Sequence, residues 1–174
     1  MFKILIMAVM LSGLLSAGTL TFTKGTINAH TDVFGDDTID PFSTQITSHL
    51  TLGSDLAQLS GDISIPSISL ASEHNGRDEH MHEAMHTEIE KLISVKLTKV
   101  EKSDALYKIY ADLTLHGVTK QIVSICSIKE DETTLNLDGT FNINMTDYNI
   151  EPPSMLFFTV RDKVDIKYNL NYRK

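Results

Sequence analysis

Apolar and polar residues alternate with period two over most of the chain, the arrangement of strands with one buried and one solvated face. Over residues 42–52 the even positions Phe42, Ile46, Leu50 and Leu52 are apolar, set against Ser43, Gln45, Thr47, His49 and Thr51. Tyr107, Ile109, Ala111, Leu113 and Leu115 form a second row, and Leu135, Leu137, Phe141, Ile143 and Met145 a third. Val164, Ile166, Tyr168, Leu170 and Tyr172 make a fourth, and Ile93, Val95 and Leu97 a shorter fifth. Three further strands are less regular. Residues 20–33 are Thr-rich, and residues 118–128 are apolar on both faces. Residues 59–70 change phase at Pro66, where a bulge or bend is expected because proline cannot donate to a ladder.

One stretch, residues 76–91, has helical spacing. Met81, Met85 and Ile89 recur every fourth position with Ala84 beside them, while Glu79, Glu83, Glu88 and Glu90 face water. About eight consecutive antiparallel strands favour closure, since a closed sheet has no unpaired edge. Such a barrel is wide enough either to be filled by its own side chains or to hold one small ligand. The predicted fold is therefore mainly β, an eight-stranded antiparallel barrel with one helix packed at its mouth.

Composition narrows the function. The chain has 174 residues, 41% hydrophobic and 22% charged, as in ordinary globular proteins. Residues 1–18 read as a cleavable signal peptide: Met1-Phe2-Lys3 is basic, Ile4 to Leu15 is mostly apolar, and Ser16-Ala17-Gly18 are small. That apolar run is shorter than the ~20 residues a membrane crossing needs. No cysteine follows it for lipid attachment, so no stable membrane anchor is expected. Residues 19–174 then form one domain. The net charge of −8, one unit more negative without Lys3, repels phosphate backbones and argues against a nucleic-acid partner. Cys126 is the single cysteine, so no internal disulfide forms, and it reads as a small residue on a strand face.

His82-Glu83-Ala84-Met85-His86 spells H-E-x-x-H, the arrangement that sets two imidazoles and a general base on one helix of a zinc peptidase. Here it lies on a short polar helix in a β chain, and its histidines fall on a different face from the apolar stripe, toward solvent. No catalytic residue, metal ligand or cofactor is assigned. The crowding of His74, His80, His82 and His86 keeps a metal-binding protein as the alternative reading.

Leu113-Thr114-Leu115-His116-Gly117-Val118-Thr119-Lys120 resembles the signature strand pair of the YceI-like polyisoprenoid-binding family. Gly76-Arg77-Asp78-Glu79-His80-Met81 is similar to the family's helix, residues 139–148 to its Thr-Asp-aromatic stretch, and residues 160–170 to its closing strand. Gln121 replaces a proline common after the Thr-Lys pair, and Asp32-Val33-Phe34-Gly35-Asp36 replaces a His-x-x-Gly pattern. The resemblance implies a periplasmic, lipocalin-like barrel that encloses a long apolar molecule such as an isoprenoid quinone, a polyprenyl chain or a fatty-acid derivative. It implies no enzyme activity and leaves a homodimer open. The alternating rows would present Phe42, Ile46, Leu50, Ile63, Ile65, Tyr107, Ile109, Leu113, Leu137, Phe141, Ile143 and Ile166 to that ligand. Met81 and Met85 would close over it as an adaptable lid.

Overall fold

The computed structural model describes residues 18–33, 37–155 and 158–174, and it resolves the alternating rows into one antiparallel sheet curled on itself. The chain opens with β1 (Gly18–Thr19) and β2 (Thr21–Val33), then β3 (Asp37–Ile39), β4 (Phe42–Ser43) and β5 (Thr47–Leu52). β6 (Ser60–Pro66) leads to helix α1 (Asn75–Ala84), which is followed by β7 (Leu92–Ser103), β8 (Leu106–Leu115), β9 (Val118–Glu130) and β10 (Thr134–Asn144). β11 (Ser154–Met155) and β12 (Phe158–Thr159) form a separate two-stranded ribbon before β13 (Lys163–Arg173). The main sheet holds 11 strands rather than the eight expected, because β3 is an added hairpin arm, β1 lies ahead of the strand expected at 20–33, and the strand expected at 42–52 breaks into β4 and β5.

Closure comes from the N-terminal stretch. On one side β2 pairs with β13 from Thr21 to His30. On the other, Gly18 pairs with Leu52 and Thr19 with Thr51, while farther along Ile27 pairs with Ser43 and Asn28 with Phe42. These pairs and the Leu20 N–H bond to Leu50 O share a single register, so one seam is laddered at both ends and open between them.

Breaks of phase decide which residues point inward. At Ser43–Ile46 the backbone bends: Gln45 N–H bonds Ser43 Oγ at 3.1 Å and Ile46 N–H bonds Thr44 O at 3.0 Å. Ser43 consequently turns in and Phe42 turns out, 47% exposed, which corrects its place in the inward row. A register shift between Leu97 and Lys99 likewise carries Val100 into the interior.

The interior has two apolar halves. One end is filled by Leu20, Leu50, Leu59, Val100, Cys126, Leu135 and Tyr172, with Phe22 set edge-on to Tyr172 at 5.6 Å. The other half, around Ile65, Leu70, Ala111, Leu113, Leu115 and Ile122, lies under α1. Burying each such aliphatic side chain contributes about 1.5–3 kcal/mol, which a chain without disulfides relies on.

α1 is shorter than the helical spacing predicts. Met85 caps it, and His86 takes a left-handed φ of 49°. His86 N–H bonds Glu83 O and Thr87 N–H bonds His82 O, the paired back-bonds of a Schellman stop. The expected stripe therefore ends at Met85, which is buried, and Ile89 lies beyond the helix, 76% exposed. Asp78, also buried, ties the helix to its approach by accepting from Ser72 N–H and Ser72 Oγ, both at 2.8 Å.

Candidate ligand cavity

Between α1 and the filled end lies a cavity of about 1320 Å³. Pockets for drug-sized molecules span ~300–1,000 Å³, so this one suits something longer. Its floor is where its lining meets the plug, at Leu97, Ile109, Leu137 and Leu170. The alternation of inward positions builds the walls: Ile63 and Ile65 from β6, Leu113 from β8, Phe141 and Ile143 from β10, and Ile166 from β13. Met81 and Met85 enter from α1.

Four residues of the expected set lie elsewhere. Phe42 is on the outside for the reason given above. Leu50 is fully buried in the plug, and Tyr107 packs against the plug below the floor. Ile46, at the bend in the seam, packs against both apolar halves and does not line the cavity. In the other direction, Ile27, Ala29 and Val33 line the wall although residues 20–33 gave only a weak pattern. Their signal was the run of odd positions, obscured because a register shift between Asn171 and Tyr172 of the partner strand puts Phe22 inside at an even one. Ser124 and Tyr168 also line the cavity; Tyr168 stood in an alternating row, whereas residues 118–128, apolar on both faces, gave no inward row in which to place Ser124.

The mouth is framed by α1, with Asn75, Arg77 and His80, and by the β2–β3 arm, with Ile39 and Pro41. Side-chain hydrogen bonds hold the helix over it. Arg77 Nη1 donates across the mouth to Thr38 O at 3.1 Å. His82 Nε2–H donates to Leu70 O at 2.7 Å. His116 Nδ1–H donates to Tyr148 O at 2.9 Å, so its Nε2 accepts from His86 Nδ1–H, 3.0 Å away, with the rings 4.8 Å apart. The expectation that both histidines of the H-E-x-x-H run face solvent thus needs correcting for His82, which is partly buried on a carbonyl. His86 stands past the end of the helix. Among the described residues no three His, Cys, Asp or Glu side chains are grouped to hold a metal ion.

Electrostatics inside are muted. Burial pushes the Tyr172 and Tyr148 phenols up to about 12 and raises the Cys126 thiol, so these groups stay neutral in the apolar interior. Charged pairs lie on the outside beside the β2–β3 arm. There His30 bonds Asp40, whose carboxyl it holds below the usual range, and Arg161 bridges Asp32 and Asp165 at 2.7 Å each.

Comparison with known proteins agrees with this geometry. The family model described as YceI-like domain matches residues 16–172. Among solved structures, BcnA of Burkholderia cenocepacia is similar over 84% of this chain and 95% of its own, at 14% identity and a TM-score of 0.75. A polyisoprenoid binding domain from Saccharophagus degradans, implicated in plant cell wall breakdown, shares 16% identity over 89% of this chain and 97% of its own, with a TM-score of 0.69. The YCEI protein of Campylobacter jejuni shares 16% identity over 99% and 91%, with a TM-score of 0.57. No curated protein matches the sequence. Among the described residues no helix is long and apolar enough to cross a membrane.

Proposed function

The chain belongs to the YceI-like domain family, and from that premise we propose that it binds an elongated apolar molecule inside its barrel and carries or sequesters it without chemical change. The supporting observation is the cavity of about 1320 Å³, walled by aliphatic and aromatic side chains and roofed by a two-methionine helix. Each methylene buried there contributes about 0.8 kcal/mol, so a chain of a dozen carbons binds tightly with no charged contact. The ligand classes this favours are a polyprenyl chain, an isoprenoid quinone or a fatty-acid derivative; the polyisoprenoid binding domain of the Saccharophagus relative supports the first two.

The residue 1–18 leader supports export to the periplasm, where an acidic carrier moves lipids between membranes. Cleavage after Gly18 leaves Thr19 paired with Thr51 in β1, and amino-terminal sequencing of exported protein should begin at Thr19. The carrier reading is tested by native mass spectrometry of protein purified without detergent. A co-purifying hydrophobic mass of several hundred daltons, released into organic solvent unchanged, is the expected result. Protein that emerges empty and takes up no prenyl or acyl chain would overturn it.

A further inference from the structure

The floor of the cavity is hydrocarbon except for Ser124 and Tyr168, which join Leu97, Ile109, Leu137 and Leu170 there. Ser124 is 3% exposed; its Oγ donates to Thr140 O at 3.1 Å and lies 2.9 Å from Tyr168 Oη. A serine hydroxyl has one hydrogen and a carbonyl has none to give. The Ser124 proton is therefore committed to Thr140, and Tyr168 must donate to Ser124. The phenol proton points into the wall, which leaves the phenol oxygen able only to accept. Cys126 also approaches it, but its S–H donates to Ser127 O at 3.4 Å and is not given to the phenol oxygen. Burial keeps the phenol protonated far above its ordinary range, so the direction of this chain of hydrogen bonds does not change with physiological pH.

Gly139 makes the arrangement possible. It lies opposite Tyr168 in the β10–β13 ladder, and its missing side chain is the space the phenol occupies. The hydroxyl is thereby held at the floor at the end of a rigid aromatic ring.

We infer that Tyr168 Oη is a specificity element that selects, among elongated apolar ligands, those whose inner end carries one hydrogen-bond donor such as a hydroxyl. The inference rests on the carrier reading. A donor-tipped chain leaves its water-bonded hydroxyl matched at the floor, whereas a chain of equal length without a donor matches nothing there. The gain is that of one neutral hydrogen bond, about three- to tenfold in affinity.

The test is competition of farnesol against farnesyl methyl ether, equal in chain length and differing in the donor, read by native mass spectrometry on the full chain. Wild-type protein should prefer the alcohol about three- to tenfold. Tyr168→Phe, which keeps the ring over Gly139, should bind both within about twofold, its fold checked by circular dichroism. Ser124→Ala frees the phenol proton to reach the ether oxygen, so the preference should narrow. Equal binding of both probes by wild-type protein, or an unchanged preference in folded Tyr168→Phe, overturns the inference and leaves the carrier reading intact. Should Tyr168→Phe fail to fold, an unchanged preference in Ser124→Ala overturns it instead. Binding of neither probe overturns both.

Discussion

A methyl group added at Gly139 would lie 2.3 Å from Tyr168 Oη and 2.4 Å from the ring carbon that bears it. Gly139→Ala should push the phenol off Ser124 and cost about 1–3 kcal/mol, the usual penalty of overpacking, read as a lower urea midpoint at unchanged m-value. Gly61 is constrained differently. Its φ is 124°, and an added Cβ would fall 2.0 Å from His49 O, a backbone atom that cannot rotate away. Gly61→Ala should therefore lose more stability than Gly139→Ala. At Asp131 the effect depends on acidity. Its carboxylate accepts from Thr134 Oγ1 at 2.7 Å, Thr134 N–H at 2.7 Å and Thr133 N–H at 2.8 Å, which brings its pKa down from 3.8 to about 2. Because the folded value is the lower one, the group stabilises the fold above about pH 4, and that contribution is lost as pH falls toward 2. In Asp131→Asn, thermal melts should fall less steeply between those pH values than in wild-type protein.

Among the elements, α1 is the one whose attachment does not come from a ladder. It spans 10 residues, short for a helix standing on propensity alone, so the bonds at its ends hold it over the mouth. His82→Ala removes the donor to Leu70 O and leaves a partly buried carbonyl unmatched. About 1 kcal/mol of stability should be lost. Release of a bound chain should quicken, because the helix opens more readily, and stopped-flow dissociation of a fluorescent fatty acid measures this. The same element marks the limit of what the sequence discloses. The long alternating strands were readable because period two survives unbroken from Tyr107 to Leu115 and from Leu135 to Ile143, and those rows supply part of the cavity wall, Leu113 and Phe141 among it. The places where the reading failed are single-residue changes of phase. The bend at Ser43–Ile46 that turns Phe42 outward, the shift after Leu97 and the left-handed His86 that stops α1 leave no hydrophobic signature. A one-residue slip reverses every side chain beyond it. Pro66 did announce its break, and a 3₁₀ turn at Ser67–Ser69 follows it. The depth of Leu50 and Tyr107 was hidden for another reason: inward rows look alike whether they meet a cavity or a plug.

At the scale of the molecule, the barrel divides into a packed end and an end that holds the cavity, whereas a plain β-core would be filled throughout. The plug supplies stability through side chains such as Leu50, Leu135, Cys126 and Tyr172, none more than 1% exposed and none lining the cavity. The half under α1 has the same aliphatic character, yet its side chains leave the space unfilled. Stability and capacity therefore reside in different residues and can be altered separately. Ala111 is the small inward residue of β8, 1% exposed, and it borders the cavity. Ala111→Trp directs a large ring from the wall into that space. Were the interior close-packed, the ring would have to displace neighbours at native density and the barrel would unfold. With the cavity present, the ring takes the room a ligand would use. The expected outcome is a melting temperature within a few degrees of the ligand-free wild type together with loss of the co-purifying hydrophobic mass, read by calorimetry and native mass spectrometry on one preparation. Loss of fold along with ligand would mean that the space beside Ala111 is already filled. Retention of both would place the ligand outside the barrel.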